Sequence, residues 1–329
     1  MKILITGGAG YVGSALARKL LEGGHEVAIL EKFRFGEESI EDIKDKVTII
    51  HGDLVKMSQQ EMIDYPLLGS TDAVIHLAAM SKEPSSAYNN SYALELNYFV
   101  TKRLADACKE AGTKFIYASS SSVYFSYDLP EIPNVGKQYW KLNKELPFRK
   151  EDDPLNCISP YSITKRASEE YLLSIADDKF KPVMLRKGTI YGLSPRMRFD
   201  LVVNALTKTA FFDKKMTVLK GIYRPLVDLK TVLMAYSHAL TLDSTEIINI
   251  SDFNTSLEEL AARIDKILPV DSEIIVKDVK VERNYRASDE KMKQFGFEQT
   301  DDFDKSVMKV WNFLKENPQD KPIYYNASQ

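Results

Sequence analysis

The residues best suited to chemistry in this sequence are a tyrosine and a lysine four positions apart. Tyr161 and Lys165 stand in SPYSITKRASEEYLL, residues 159–173, and on a helix they share one face about one turn apart. Ser159 suits an N-cap and Pro160 the first helical position, so this stretch predicts a helix over 160–177. A phenol ordinarily titrates near pH 10. A neighbouring ammonium stabilises the phenolate and lowers that value, which would make Tyr161 a general base towards a hydroxyl. A surface tyrosine beside a solvated lysine fits the same spacing, so the rest of the chain has to supply an electron acceptor and a substrate site.

The acceptor is written at the N-terminus. Gly7, Gly10 and Gly13 form G-x-x-G-x-x-G around Tyr11 and Val12, directly after an apolar run and before a helical pattern. The first glycine of such a motif permits a tight turn, the second lets backbone approach a pyrophosphate, and the third allows close helix–strand packing. The helix N-terminus then offers free N–H groups to the phosphates. Glu31, 18 residues beyond Gly13, ends the next apolar run where a carboxylate can accept from an adenosine ribose. That favours NAD over NADP, although Lys32 and Arg34 lie close enough in sequence to meet a 2′-phosphate. Asp53, in His51-Gly52-Asp53-Leu54, follows the third run and fits either an adenine contact or a solvated turn. An oxidised nicotinamide would add a second cation near Tyr161, and the reaction would be hydride transfer between an alcohol and a ketone. Ser119, Ser120, Ser121 and Ser122 close a fifth apolar run, where hydroxyls could position the reacting oxygen.

The elements that must position these groups alternate. Strands are predicted at Lys2–Thr6, Glu26–Leu30, Val47–Ile50, Ala73–Leu77, Lys114–Ala118 and Val183–Leu185, with helices at Tyr11–Glu22 and 87–111. This rhythm implies right-handed βαβ crossovers: a Rossmann-type, doubly wound parallel sheet with a smaller mixed α/β C-terminal lobe for substrate. The expected division is 1–191 plus 217–250 for the dinucleotide domain and 192–216 plus 251–329 for the lobe. Residues 125–158 break the rhythm as a polar, proline-bearing excursion, with Tyr139 and Trp140 as candidates for a lid.

Composition excludes several classes. The chain has 329 residues, 44% hydrophobic and 28% charged, with a net charge of -3. No positive excess is available to neutralise a nucleic acid. No apolar run reaches the length that spans a bilayer. Two cysteines, Cys108 and Cys157, make a disulfide framework a poor fit and a reducing cytoplasm the expected setting. The four histidines have no metal-ligand spacing, so no metal is expected, and His76, inside a strand, reads as a packed core residue.

Taken together these motifs resemble the extended short-chain dehydrogenase/reductases of the NAD-dependent epimerase/dehydratase family, which act on nucleotide sugars. The likeness runs over nearly the whole chain: the glycine motif, Gly52-Asp53-Leu54, His76-Leu77-Ala78-Ala79, Asn97, the serine run with Val123-Tyr124, Tyr161 to Lys165, Leu185-Arg186 to Tyr191-Gly192, and Arg224-Pro225-Leu226-Val227. The resemblance implies Tyr161, Lys165 and Ser120 as catalytic. It implies Gly7, Gly10, Tyr11, Val12, Gly13, Glu31, Asp53, Leu54, Leu77, Ala78, Ala79 and Asn97 around the cofactor. On the substrate it implies Ser121, Ser122, Thr189, Arg224 and, in the run Ser194–Asp200 that resembles a subgroup linked to surface-glycan sugars, Arg196, Arg198 and Asn204. A homodimer through helices 90–111 and 160–177 is implied in the same way.

The serine run also discriminates within the family. Dehydratases place an Asp-Glu pair after the catalytic Ser or Thr, and decarboxylating members carry a Glu there; this chain has Ser121 and Ser122. What remains is chemistry at C4. The leading expectation is an NAD-dependent nucleotide-sugar 4-epimerase. A 4-dehydrogenase or 4-keto reductase stays open, and so does a non-catalytic NAD-sensing protein, against which the intact Ser120, Tyr161 and Lys165 argue. The chain departs from the family pattern at Phe125, at Thr189 where many members have Asn, and at Asp228 and Thr231.

Overall fold

The structure, a computed structural model, describes residues 1–64, 68–81, 89–124, 146–157, 159–278, 284–300, 302–321 and 324–326. Most of the excursion, with Phe125, Tyr139 and Trp140, therefore lies outside the described residues.

Fourteen strands are described: β1 (Lys2–Thr6), β2 (Glu26–Glu31), β3 (Thr48–His51), β4 (Ala73–His76), β5 (Lys114–Ser120), β6 (Phe148–Arg149), β7 (Val183–Lys187), β8 (Thr189–Tyr191), β9 (Lys215–Leu219), β10 (Tyr223–Asp228), β11 (Glu246–Ile250), β12 (Phe253–Ser256), β13 (Glu273–Lys277) and β14 (Arg286–Ala287). Seven form one parallel sheet in the order β11-β7-β5-β4-β1-β2-β3. The order reverses between β1 and β4, and it is beyond the carboxyl ends at such a reversal that ligands bind in open α/β sheets.

Both faces are covered, which is why the strands read as continuous apolar runs rather than alternating ones. Ile3, Ile5, Ile29, Ile116 and Leu185 face the layer built by the helices Tyr11–Glu22 and Leu229–Ala239. Leu4, Leu30, Val74, Phe115 and Met184 face the layer of Val100–Ala111 and Pro160–Ile175. Each such side chain contributes about 1.5–3 kcal/mol by leaving water. The helix expected over 87–111 is described from Asn90 and is interrupted by a π turn at Glu95–Phe99; one inserted residue re-aims the side chains of that turn, Asn97 among them.

A second core gathers β9, β10 and the helices Val202–Asp213, Leu257–Ile267 and Phe303–Glu316 around Leu206, Met216, Leu226, Leu260 and Trp311. The segment 217–250 is shared between the two cores. Its helix Leu229–Ala239 and β11 pack with the seven-stranded sheet, whereas β9 pairs with β13, and β10 with β8 and β12. Strand partners this distant in sequence leave no local signal. Among the described residues no helix is long and apolar enough to cross a membrane.

Candidate active site

The end of β1 and the start of its helix build a cradle for phosphate. Gly7 adopts φ +75°, a left-handed conformation that glycine reaches without a steric cost. Its N–H donates to Leu30 O at 2.9 Å, and Gly10 N–H donates to Gly7 O at 3.1 Å. A Cβ at Gly13 would stand 2.3 Å from Gly7 O and 2.7 Å from Gly8 Cα, and one at Gly7 would stand 2.8 Å from Ala78 N. The third glycine is thus required for helix–strand packing and the first for contact with the end of β4. Gly10 is the N-cap of the helix and offers no side chain to its first N–H groups, so those donors and the helix dipole are left for a ligand.

The cradle opens into a cavity of about 1040 Å³. Gly7, Gly10, Tyr11, Val12, Gly13, Glu31, Asp53, Leu54, Leu77, Ala78 and Ala79 line it, as do Ser120, Ser121, Ser122, Tyr161, Lys165, Thr189, Arg196, Arg198 and Arg224. Residues dispersed from 7 to 224 in sequence therefore share one space. Glu31, at the end of β2, is largely buried, and burial pushes its carboxyl up while backbone N–H donors from Lys32, Phe33 and Ala9 pull it down. Lys32 makes an ion pair of 3.2 Å with Asp53 and donates to Tyr92 at 2.9 Å. That arrangement occupies one of the two cations that could have served a 2′-phosphate. The glycine cradle, the carboxylate of Glu31 and the cavity they line fit NAD.

Asn97 and Asn204 are placed differently from expectation. Neither lines the cavity. Asn97 is 1% exposed; it accepts from Met80 N at 2.8 Å and donates to Thr164 at 3.3 Å. Asn204 is fully buried, accepting from Gly192 N at 3.1 Å and donating to the Tyr11 hydroxyl at 3.3 Å. Both hold wall-forming backbone in place from behind, because their polar atoms are already committed to protein partners.

The reacting end is built by β5 and the helix Pro160–Ile175. Ser159 caps that helix in a reciprocal capping box with Ser162, which fixes where its first turn starts and hence where Tyr161 points. Ser120 stands beside Tyr161 and favours its phenolate, and Ser120 Oγ accepts from Ser122 N at 3.2 Å. Lys165 is 2% exposed; its Nζ donates to Ala118 O at 2.8 Å and stands 4.6 Å from the Tyr117 ring centroid and 5.8 Å from that of Tyr161. Burial lowers Lys165 to about 7, with Glu169 opposing.

The expected lowering of the tyrosine is not what the protein alone provides. Burial raises Tyr161, and the forces opposing it are the Ser120 hydrogen bond and the charge of Arg198. Desolvation disfavours the phenolate more than these partners favour it.

Below this centre, Glu169 and Arg186 form a buried pair, Nη2 to Oε2 at 2.8 Å and Nε to Oε1 at 2.9 Å. Ser119 also donates to Glu169, and Arg186 donates to Tyr124 at 2.8 Å. The pair fastens β5, β7 and the helix Pro160–Ile175 together.

On the substrate side, Ser122 Oγ is buried with no hydrogen-bond partner among the described residues, a polar atom that a ligand hydroxyl would satisfy. Ser121 donates to the Tyr285 hydroxyl at 3.5 Å. Arg224 lies 5.6 Å from the Tyr285 ring, and Tyr285 itself lines the cavity. Arg198 is tied to Asp200 at 2.7 Å and to Ser81 O at 3.1 Å, so its charge is compensated within the protein. Arg196, expected at a substrate phosphate, lies over Phe35, 3.9 Å from its centroid, with Glu31 among the charges acting on it.

Sequence reasoning missed Phe35, Lys187, Tyr236 and Tyr285 as wall residues. Lys187 donates to the Tyr236 hydroxyl at 2.9 Å, and burial together with the Lys165 charge drives its amine well below the ordinary range. A lysine closing an apolar strand was the available signal; Tyr285 left none. His76 is the packed core residue its strand position implied, with Thr6 at 2.7 Å and Thr101 at 3.0 Å on its two ring nitrogens. Among the described residues no group of side chains could hold a metal ion.

Comparison with known proteins agrees with this geometry. A sequence model of the "NAD dependent epimerase/dehydratase family" matches residues 3–251. The chain is 33% identical over 223 residues to UDP-glucuronic acid decarboxylase 1 of Xenopus tropicalis, covering 66% of this chain but 48% of that protein. It is 28% identical over 278 residues to UDP-glucose 4-epimerase of Lactobacillus helveticus, covering 76% of each. The crystal structure of UDP-glucuronic acid 4-epimerase from Bacillus cereus, in complex with UDP-glucuronic acid and NAD, superposes with a TM-score of 0.80 at 23% identity, over 96% of this chain and 100% of that one. At that identity the superposition shows a common fold. The family match covers most of the sequence, and the chain belongs to the NAD dependent epimerase/dehydratase family.

Proposed function

We propose that this protein is an NAD-dependent 4-epimerase of a nucleotide-diphosphate sugar, with a UDP-hexose as the substrate class its relatives suggest. The observation that carries the reading is one cavity holding the glycine cradle, the Ser120–Tyr161–Lys165 group and, directly after Ser120, two serines instead of carboxylates. Elimination of water needs a carboxylate acid/base pair beside the sugar, and the homologous positions here cannot ionise. Bound NAD would supply hydride acceptance from C4 and hydride return to the keto sugar. Tyr161 takes the O4 proton as the C4–H bond breaks and gives it back on return, so the sugar changes configuration without net oxidation. Ser120, beside Tyr161, holds O4 and stabilises charge developing on it. Lys165 in its ammonium form, and Arg198, favour the phenolate. Arg224 is suited to the sugar-nucleotide diphosphate. The likeness of Ser194–Asp200 to a surface-glycan subgroup supports a role in making such sugars.

Exposed Leu94, Phe99, Ile163 and Leu173 on the helices Asn90–Leu94 to Val100–Ala111 and Pro160–Ile175 support the homodimer. Retained cofactor and sugar exchange test the function together. Mass spectrometry of the denatured protein should find stoichiometric NAD or NADH, and NMR should show UDP-glucose converting to its C4 epimer or, failing that hexose, UDP-glucuronate doing so. Tyr161→Phe should lower turnover at least about a hundredfold with the cofactor still bound. An empty protein that consumes added NAD with a UDP-sugar would make it a dehydrogenase. Unchanged turnover in Tyr161→Phe would refute the base assignment.

A further inference from the structure

The loop that follows β8 folds back onto the glycine cradle and is fastened at both ends. Ser194 Oγ donates to Tyr11 O at 2.6 Å, and the Tyr11 hydroxyl donates to Gly192 O at 2.7 Å. At its far end Arg198 holds Ser81 and Asp200. Between these anchors Arg196 is 5% exposed, and its guanidinium carbon stands 3.9 Å from the centre of the Phe35 ring. Phe35 is presented by a tight turn after β2 in which Phe33 takes φ +53° and Gly36 φ +83°, closed by Gly36 N to Phe33 O at 3.1 Å. Glu31 ends β2 immediately before that turn. Arg196, Phe35 and Glu31 line the cavity beside Gly10 and Tyr11.

This placement sets the chemistry of the ligand. The motif GGAGYVG contains no basic side chain. A dinucleotide diphosphate carries two negative charges, whereas a helix N-terminus offers the equivalent of about half a positive one. A guanidinium is planar, weakly hydrated and able to rest on an aromatic face while its edge donates in a fork, which a lysine cannot do. Asp200 and, to a smaller extent, Glu31 favour the charge of Arg196 in the protein alone, and an adenosine ribose would take up the Glu31 carboxylate when it binds.

We propose that Arg196 is a cofactor-binding residue: stacked on Phe35 beside Glu31, its guanidinium holds the adenosine ribose–diphosphate segment of the dinucleotide, and the fastened loop that carries it retains the cofactor. The inference rests on the dinucleotide reading given above. It moves Arg196 from the sugar-nucleotide phosphates, where the sequence resemblance put it, to the cofactor.

Binding rather than turnover tests it. Affinities for NADH, for NAD and for UDP are measured by calorimetry on the cofactor-stripped full chain, with NADH release followed by its fluorescence. Arg196→Gln and Arg196→Lys should each weaken NADH and NAD at least about tenfold, mainly through faster release, and leave UDP within about twofold. Phe35→Leu should give a smaller loss in the same direction, and unchanged melting of each variant establishes that it is folded. A loss of UDP affinity with dinucleotide binding intact would return Arg196 to the substrate and overturn the proposal. Unchanged affinity for both in folded variants would reduce the arginine to a structural latch and overturn it equally. Wild-type protein that binds UDP but no dinucleotide would overturn the underlying reading, an outcome distinct from either.

Discussion

Replacing Glu169 by glutamine tests whether the buried pair beneath the site both supports the fold and sets the charge of Lys165, the lysine of the proposed mechanism. Glu169 and Arg186 are 1% and 2% exposed. Glutamine keeps the volume and one acceptor oxygen, so it can still receive Ser119 and Arg186 Nε. Its amide then faces the Arg186 Nη2 that now donates to Oε2 at 2.8 Å, donor against donor. A buried guanidinium deprived of its counter-charge costs about 3–5 kcal/mol. At roughly 1.5 °C per kcal/mol for a chain of this size, melting should fall by about 4–7 °C. The second effect is electrostatic. Glu169 opposes the burial that lowers Lys165 to about 7. Without the carboxylate the lysine falls further, and a fall of one unit takes its ammonium fraction at pH 7 from about half to about a tenth. Turnover that depends on the ammonium should therefore decline at lower pH in the variant, shifting that limb of the kcat profile to the acid side. Calorimetric melting and kcat from pH 5.5 to 9 measure the two effects. Melting within about 2 °C of wild type, with an unmoved pH limb, would refute the reasoning.

Three further outcomes follow from single contacts. Gly13→Ala places a methyl 2.3 Å from Gly7 O, and since neither backbone can yield cheaply, NADH binding measured by fluorescence should drop at least about tenfold with a loss of about 1–3 kcal/mol in stability. Ser159→Ala removes the acceptor for Ser162 N at 3.1 Å; it should cost about 1 kcal/mol in urea unfolding and raise KM through a loosened Tyr161 turn. Lys165 is depressed to about 7 in the folded chain against an ordinary 10.5. Between those values the unfolded chain binds a proton that the folded chain does not, so this group makes stability rise with pH across that window, by at most about 1.4 kcal/mol per pH unit. Lys165→Met should remove that slope when urea unfolding is compared at pH 7.5 and 9, and equal slopes in both proteins would contradict the depressed value.

Local pattern carried six of the seven strands of the parallel sheet, because its inner strands are buried on both faces and write themselves as apolar runs bounded by glycines or polar turns, whereas the edge strand β11 was not read as one. The glycine motif and the Ser-Pro-Tyr start of the helix Pro160–Ile175 were legible for the same reason: a tight turn, close helix–strand packing and an N-cap each demand particular residue types within a few positions. Part of the frame at the substrate end was not. β9 finds its partner in β13, and Tyr285 meets Ser121 across 164 positions, and neither pairing leaves a periodicity to read. Arg196 and Arg198 show the limit most directly. Two residues apart in one run, they look interchangeable in sequence, yet the fold sets one over Phe35 by the cradle and ties the other to Asp200 and Ser81. The sequence by itself determined which groups could do chemistry and which elements would carry them. Only the tertiary structure decided their electrostatics, raising Tyr161 and lowering Lys165, because desolvation depends on what packs around a group and that is set by the whole chain.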